Sequence, residues 1–276
     1  MARPWIEFIQ SQALAWTPHD LWGVAPGVEA KILSRDDETD AASVLVRFPA
    51  GWKGPSGPRS FAMDEEFLVL DGALEINGEH FGHLNYAHWP QGIVTSGRAS
   101  PHGAVALWFC SARPAPLASA GAVDERRLVR RLDAYDVPYA GNFHPEFPPG
   151  AGRKMLYKDP DTQEQSWLLA TMAIRWAQRS EVHPVVEEMY LLAGESHGDR
   201  GVMRPGAYFW RPPGIPHGPY GTLTGNLYFF RTKGGGLTTT YVDAPKTFKW
   251  NPDYQPMVPE ELAGIVRETP SGTQCW

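Results

Sequence analysis

The chain has 276 residues, of which 42% are hydrophobic and 20% charged, a composition typical of a globular protein with a sizeable core. The formal net charge of −6 argues against nucleic acid as a partner. No run of about 18 apolar residues occurs and no signal-peptide layout is present, so we expect no membrane partner and a cytoplasmic location. Two cysteines, Cys110 and Cys275, make no disulfide framework.

Short segments rich in β-branched and aromatic residues follow one another along the chain, separated by Gly, Pro and Asp. This pattern predicts antiparallel strands in a sandwich or barrel. Helices are plausible only over 123–134 and 259–267, and 112–150 reads as a linker. The clearest strand segments are 43–48, 66–76, 105–109, 189–194 and 226–231.

The chain repeats itself at a spacing of about 122 residues. KILSRDDETDAAS begins at Lys31 and KMLYKDPDTQEQS at Lys154, while EEFLVLDG begins at Glu65 and EEMYLLAG at Glu187. Four blocks keep their order and spacing, which indicates two tandem copies of one fold. We therefore predict an N-terminal domain over 1–118 and a C-terminal domain over 119–276.

Histidine and glutamate residues cluster in the second copy in two separate segments. Glu181, His183 and Glu187 lie in EVHPVVEE, and His217 ends GAYFWRPPGIPH. Positions 181 and 183 share a strand face, but Glu187 lies roughly 13 Å further along a straight strand. The chain must bend for these groups to share one metal ion, and Pro184 is well placed to interrupt the strand.

These two segments resemble the motifs of the cupin superfamily. The first motif, HxH followed by Glu and Gly, is matched by His183, Glu187 and Gly194, with Glu181 in place of the leading His. The second motif, Gly, five residues, PxG, two residues and His, is matched by 206–217. HPVVEEMYLLAGE and PPGIPHGP are most similar to the zinc-binding ChrR-type cupin domain of an anti-sigma factor.

The resemblance implies an all-β fold of two tandem cupin barrels, each a double-stranded β-helix or jelly roll, with few short helices. It also implies a homodimer and a metal held by His183, Glu187 and His217. Because the cupin ligand lies seven residues before the glycine, Glu187 is favoured over Glu188, which alternates to the opposite face. Glu181 is a fourth ligand, a general base off the metal, or a solvent-exposed glutamate at a strand end.

The first copy has lost most of these groups. At the offset of 122, the positions of Glu181, His183 and His217 are occupied by Arg59, Phe61 and Thr95. Only Glu65 is retained, and an Arg59–Glu65 ion pair is a simple way to fill the vacated space. A metal site at the HxxH of 80–83 is an alternative, but surface positions are favoured for the histidines of this half. These histidines are His80, His83, His88 and His102.

Aromatic residues surround the motifs of the second copy and predict an apolar or aromatic small-molecule substrate. For Arg175 and Arg231, solvation at the surface is favoured over pairing with a substrate carboxylate. His144 and His197 lie in loops, and His197 could reach a pocket mouth. The tail from Asp243 is expected to strap or cover a barrel. The aromatic residues are Trp176, Tyr190, Tyr208, Phe209, Trp210, Tyr228, Phe229 and Phe230.

Two His and one carboxylate form the facial arrangement of non-haem iron oxygenases. Together with the resemblance, this predicts an Fe(II) dioxygenase that cleaves a C–C bond of a small ketone, diketone or phenolic compound. One divalent ion per chain is expected, with Fe(II) favoured and Zn, Mn or Ni as alternatives. The competing functions are a Zn- or Mn-dependent lyase, isomerase or hydrolase, and a cupin that senses a metal or ligand without catalysis.

Overall fold

The computed structural model describes residues 3–119, 121–141, 144, 146–243, 247–267 and 274–276. The chain forms two compact units. The first unit contains residues 1–3 and 15–136, and the second contains 4–14 and 137–276. This division differs from the predicted boundary at 118/119, because the segment 4–14 joins the second unit and 119–136 joins the first.

The strands are short and are numbered here in chain order. Strand β1 (Ile6–Gln10) and a 3-10 helix (Ser11–Ala13) belong to the second unit. The first unit holds β2 (Thr17–His19), β3 (Val28–Arg35), β4 (Ala42–Phe48), β5 (Trp52–Lys53), β6 (Glu65–Gly72), β7 (Leu74–Ile76), β8 (Glu79–Phe81), β9 (Asn85–Trp89), β10 (Ala99–Ser100), β11 (Ala104–Cys110), a 3-10 helix (Glu125–Arg127) and β12 (Val129–Asp133).

The rest of the second unit is also built from strands, with one short helix. Its elements are β13 (Ala151–Lys158), β14 (Gln165–Thr171), β15 (Arg175–Trp176), β16 (Ser180–Val182), β17 (Val186–Gly194), β18 (Ser196–Gly198), β19 (Gly201–Met203), β20 (Ala207–Arg211), β21 (Gly221–Thr222), β22 (Asn226–Lys233), β23 (Thr240–Val242) and α1 (Glu260–Ala263). None of the helices in the described ranges is long and apolar enough to cross a membrane.

Each unit has one large antiparallel sheet and a smaller four-stranded one, and the second unit has a further β16–β23 pair. The large sheets run β12-β9-β6-β11-β4-β3-β2 in the first unit and β1-β20-β17-β22-β14-β13 in the second. Five consecutive strands correspond between the two orders, at the offset seen in the sequence. The prediction of an all-β chain with two cupin jelly-roll barrels and few short helices is confirmed.

The corresponding edge of each large sheet is closed by a strand from outside the repeat. Strand β12 from the linker pairs with β9, and β1 from the start of the chain pairs with β20. The predicted helix over 123–134 is therefore wrong, since pairing with the sheet edge holds 129–133 extended. The indole Nε1 of Trp89 strengthens this attachment by donating to the carbonyl oxygen of Arg130 at 3.0 Å. Over 259–267 only the four-residue α1 is helical.

Two glycine pairs explain why the motif glycines recur. A Cβ on Gly72 would lie 2.1 Å from the carbonyl oxygen of Gly103, and one on Gly194 would lie 1.9 Å from that of Gly225. Both Gly72 and Gly194 also have positive φ, of 64° and 78°. No side chain fits such an approach of two backbones, so both copies keep glycine there.

A buried ion pair and aromatic packing fill the interior of the first unit. The guanidinium of Arg98 donates to both carboxylate oxygens of Glu65, at 2.8 and 2.6 Å. It also donates to Thr95 Oγ1 and lies 5.5 Å from the Trp89 ring. The expected Arg59–Glu65 pair is wrong, because the Arg59 guanidinium instead lies over the Phe61 ring.

The histidines of the first unit do not converge on a site. His80, His83 and His102 are exposed, as predicted. His88 is buried, contrary to the surface position expected for it, and its Nδ1 pairs with the carbonyl oxygen of Arg127 at 2.8 Å. Burial follows from the position of His88 on β9, where β12 pairs beside it.

The Glu65–Arg98 pair yields a stability prediction. Glu65→Gln leaves the Arg98 charge buried without a carboxylate, so we expect a loss on the order of 3 kcal/mol in unfolding free energy. In the matched control Glu29→Gln, the lost partner is the exposed Arg47 and the cost should stay below about 1 kcal/mol. Urea denaturation of the full chain measures both, and equal small losses would contradict the buried role of the pair.

Candidate metal centre

The segment of 180–187 bends where the metal chemistry requires it. Strand β16 ends at Val182, residues 183–185 leave the extended conformation, and β17 begins at Val186. The bend predicted at Pro184 is confirmed. It turns the Glu187 carboxylate back towards His183, with Oε1 of Glu187 lying 3.6 Å from Nε2 of His183.

Backbone hydrogen bonds bring His217 to the same place. The N–H of Glu181 donates to the carbonyl oxygen of His217 at 2.9 Å, and the N–H of His217 donates to that of Glu181 at 3.1 Å. The N–H of Gly214 donates to the carbonyl oxygen of His183 at 2.8 Å. The loop between β20 and β21 is thereby fixed against the bend, and its histidine faces the two glutamates.

Both imidazoles are held in the tautomer that a metal ligand needs. Nδ1 of His183 lies 2.9 Å from the carbonyl oxygen of Thr238, and Nδ1 of His217 lies 2.9 Å from that of Ile215. A carbonyl can only accept, so Nδ1 carries the proton in both rings and Nε2 carries the lone pair. Burial, reinforced by the positive charge of Arg211, lowers the pKa of His217 well below its usual value and keeps it neutral.

Four side chains surround the point to which these Nε2 atoms are directed. Ligand atoms of Glu181, His183 and His217 all lie within 4.8 Å of one another. Glu187 lies 3.6 Å from Nε2 of His183 and 3.7 Å from Nε2 of His217. Ligand atoms that each lie about 2.1 Å from one ion are roughly 3 Å from one another. The distances between these side-chain atoms would therefore have to shorten only slightly for an ion to bind.

The residues fit a divalent ion by a second criterion. Nε2 of His183 is buried and has no hydrogen-bond partner among the described residues, which is costly unless something binds there. Imidazoles and carboxylates are donors that suit Fe(II), Mn(II) and Zn(II) alike. Glu181, His183 and His217 are grouped closely enough to share such an ion, and Glu187 lies 3.6 and 3.7 Å from the two imidazoles.

Behind Glu187 lies a buried charge network that the sequence did not indicate. Nη1 of Arg211 donates to Glu187 Oε2, and the same guanidinium binds both carboxylate oxygens of Glu7 on β1. Tyr220 accepts from Arg211 Nη2 at 2.8 Å. Although burial opposes ionisation, Arg211 holds the pKa of Glu7 below its usual value, and the carboxylates raise the pKa of Arg211 further. The ion pair with Arg211 therefore fixes the orientation of the Glu187 carboxylate.

Glu188 points away from this site, as the strand alternation predicted. Its carboxylate accepts from Tyr208 Oη at 2.7 Å and from Arg231 Nη1 at 2.6 Å. The surface position expected for Arg231 is wrong, because its side chain is buried in this ion pair. The equivalent Glu66 of the first unit accepts from Tyr86 Oη, also at 2.7 Å. Both copies use this second glutamate for packing.

Glu181, His183, Glu187 and His217 form part of the wall of a cavity of about 430 Å³ inside the second unit. Of the aromatic residues named from the sequence, Phe209 and Tyr228 line it together with Phe230, while Trp176 is half exposed outside it. Sequence reasoning missed Trp167, which stacks on Phe230 at 5.3 Å between ring centroids. The wall of this cavity is therefore mostly apolar, with several aromatic rings.

His144 and His197 were both expected in loops and take different positions. His144 lines the cavity, whereas His197 lies on β18, is buried outside the cavity and pairs through Nδ1 with the carbonyl oxygen of Trp250, so the loop position expected for His197 is wrong. Tyr254 Oη donates to the carbonyl oxygen of Phe8 at 2.9 Å, and Met257 pairs with Glu7. Within its described residues, the tail beyond 243 straps the second unit and contributes nothing to the cavity wall.

Glu181 differs electrostatically from Glu187. Its side chain is only 16% exposed and forms no ion pair with an arginine among the described residues. Burial raises the pKa of Glu181 to about 7, with the attraction of His183 and the repulsion of Glu187 as the next largest influences. The alternative of a solvent-exposed glutamate is wrong, and the roles of fourth ligand and general base stay predictions.

Comparison with known proteins places the chain in a family. The model of the family described as "Domain of unknown function (DUF4437)" matches residues 9–237. The chain belongs to this family. No curated protein matches it. A Nostoc punctiforme PCC 73102 protein named as a "putative dioxygenase" has a similar structure, with a TM-score of 0.78, 19% identity and 88% of each chain covered.

Oxalate decarboxylase of Bacillus subtilis is a second structural neighbour of this DUF4437 protein. A deletion mutant of that enzyme superposes with a TM-score of 0.57 at 11% identity, covering 85% of this chain and 79% of the other. Another structure of the enzyme, which concerns its Mn(II) centres, gives the same TM-score at 10% identity. At these identities the likeness establishes the shared cupin fold.

The raised pKa of Glu181 predicts how pH affects the metal-free protein. A buried acid with a folded pKa near 7 binds its proton more tightly when folded, so its contribution to stability is lost as pH rises from about 4.5 to 7. Relative to Glu181→Gln, the wild type should lose up to about 3 kcal/mol of unfolding free energy between pH 4.5 and 8. Denaturation in EDTA at the two pH values measures this, and parallel pH profiles would contradict it.

Proposed function

We propose that this chain is a metal-dependent cupin enzyme whose reaction takes place in the cavity of the second unit. One observation carries the proposal: the imidazoles of His183 and His217 lie together with the carboxylates of Glu181 and Glu187 on the wall of a single, mostly apolar cavity. His183, Glu187 and His217 hold one divalent ion, and Glu181 acts beside it. The fold shared with oxalate decarboxylase and with the Nostoc protein supports this class of function.

Within this class we favour a non-haem Fe(II) dioxygenase that cleaves a C–C bond of a small ketone, diketone or phenolic compound. When bound, Fe(II) would supply open coordination positions for substrate and oxygen together. The aromatic wall, including Phe209 and Phe230, holds the apolar part of the substrate and excludes water. Glu181 accepts a proton from the bound substrate, because burial gives it the basicity that the task requires.

The raised pKa of Glu181 also favours a second candidate, a Zn- or Mn-dependent lyase, isomerase or hydrolase. Such reactions begin with proton abstraction or with activation of water. Both steps need a base that lies near the metal ion without being one of its ligands. In this candidate Glu181 is the catalytic base, and oxygen takes no part. The two candidates therefore differ in whether turnover consumes O₂.

Metal analysis and oxygen uptake test the proposal together. Protein purified without chelators should contain about one divalent ion per chain, and Fe(II)-loaded protein should consume O₂ with a ketone, diketone or phenol from a panel. His217→Ala should weaken metal binding by more than about 100-fold, since it removes a direct ligand. His102→Ala, at an exposed position, is the matched control and should bind normally.

The outcomes separate the candidates. Bound Zn or Mn with turnover but no O₂ uptake would exclude the dioxygenase and favour the lyase, isomerase or hydrolase. Bound metal with no turnover on any compound would favour the sensing role. A chain that binds no metal, and is unaffected by His217→Ala, would overturn every metal-dependent function.

The charge network behind Glu187 predicts the effect of a distant substitution. Glu7→Gln removes one of the two carboxylates that share Arg211, so the guanidinium draws more electron density from Glu187 and weakens it as a ligand. We expect metal affinity to fall by about 10- to 100-fold, as for other supporting groups of metal sites. Competition with a chromophoric chelator measures the change, with Glu29→Gln as the control. Unchanged affinity in a folded variant would contradict the positioning role.

A further inference from the structure

The cavity wall carries arginine side chains that the proposed metal chemistry does not use. Arg153 on β13 and Arg175 on β15 both line the cavity, together with the metal-ligating groups. Arg211 is engaged behind Glu187, and the wall's only carboxylates among the described residues are those of Glu181 and Glu187. Arg175 is one of two arginines that the described residues place on this wall.

Arg175 is held in place without a carboxylate partner. Its guanidinium carbon lies 5.0 Å from the centre of the Phe147 ring, and its Nη2 donates to the carbonyl oxygen of Pro148 at 2.6 Å. Its Nε is buried with no hydrogen-bond partner among the described residues. Burial lowers the pKa of Arg175, which reflects the cost of keeping this charge away from water.

The charges of the metal site do not supply the missing partner. A divalent ion and Arg211 together balance the three carboxylates of Glu7, Glu181 and Glu187. Glu181 attracts Arg175 electrostatically, yet the two form no ion pair in the described structure. Once an ion is bound, Arg175 is left with a positive charge that no residue of the wall compensates.

We propose that the cavity binds a small carboxylic acid with an apolar or aromatic body, whose carboxylate pairs with Arg175. This inference deepens the proposed function and rests on it. Arginine matches a carboxylate with paired, charge-assisted hydrogen bonds, which a neutral ligand of the same shape does not form. A volume of about 430 Å³ accommodates one ring and a short side chain beside the aromatic wall.

Matched pairs of ligands test this assignment. Metal-loaded protein is titrated calorimetrically with benzoate, phenylacetate and 3-phenylpropionate, and with the corresponding primary amides, which have the same shape without the charge. The best acid should bind about 10-fold more tightly than its amide or better. Arg175→Gln should abolish this preference while leaving amide binding within about 2-fold, and Arg175→Lys should retain part of it.

Controls and metal content make each outcome decisive. Arg113→Gln, at a largely exposed position, should behave as the wild type. Two results would overturn the proposal. One is the same ratio of acid to amide affinity in the wild type and in Arg175→Gln. The other is no binding of any acid at 10 mM, which limits the binding free energy to less than about 3 kcal/mol. Metal is measured on the same samples, so a metal-free protein that still selects acids through Arg175 would overturn the metal-dependent function alone.

Discussion

A carboxylate buried at the start of one strand must be met by a positive charge, and this requirement organises both units. Glu65 and Glu187 occupy equivalent positions on β6 and β17. In the first unit the guanidinium of Arg98 binds Glu65 on both oxygens. In the second unit Arg211 binds Glu187. An ionised carboxylate left alone in either interior would cost several kcal/mol, so the cation cannot be dispensed with.

The arginine that pairs with this carboxylate stands at a different position of the repeat in each unit. At the repeat spacing, Trp89 of the first unit corresponds to Arg211, and Arg98 corresponds to Tyr220. Arg98 therefore reaches into the place where the candidate metal ligands lie in the second unit, and it donates to Thr95 in the position of His217. A guanidinium thus fills, in the first unit, the space that borders the cavity in the second unit.

The features that depend on periodicity and motif spacing could be predicted from the sequence. Alternation placed Glu187 and Glu188 on opposite faces, and the proline at 184 marked the bend. Glu7 and Arg211 could not be found in this way, because their pairing joins positions 204 residues apart and leaves no local pattern. The edge strand at 129–133 was missed for the same reason: pairing with β9 overrides the helical tendency of a charged segment. Whether the four grouped side chains hold a metal stays a prediction.

Strand β1 has a consequence for how the second unit can be made. The ribosome synthesises Glu7 about 200 residues before its partner Arg211. The second barrel is therefore discontinuous in the chain, and its last edge closes only after the sequence of the first barrel has been translated. The entropy cost of closing so long a loop is only slightly greater than that of closing a shorter one. The long loop nevertheless makes the closure of this edge a late step in folding. A fragment cut at residue 137 would lack both the edge strand and one of the two carboxylates that pair with Arg211.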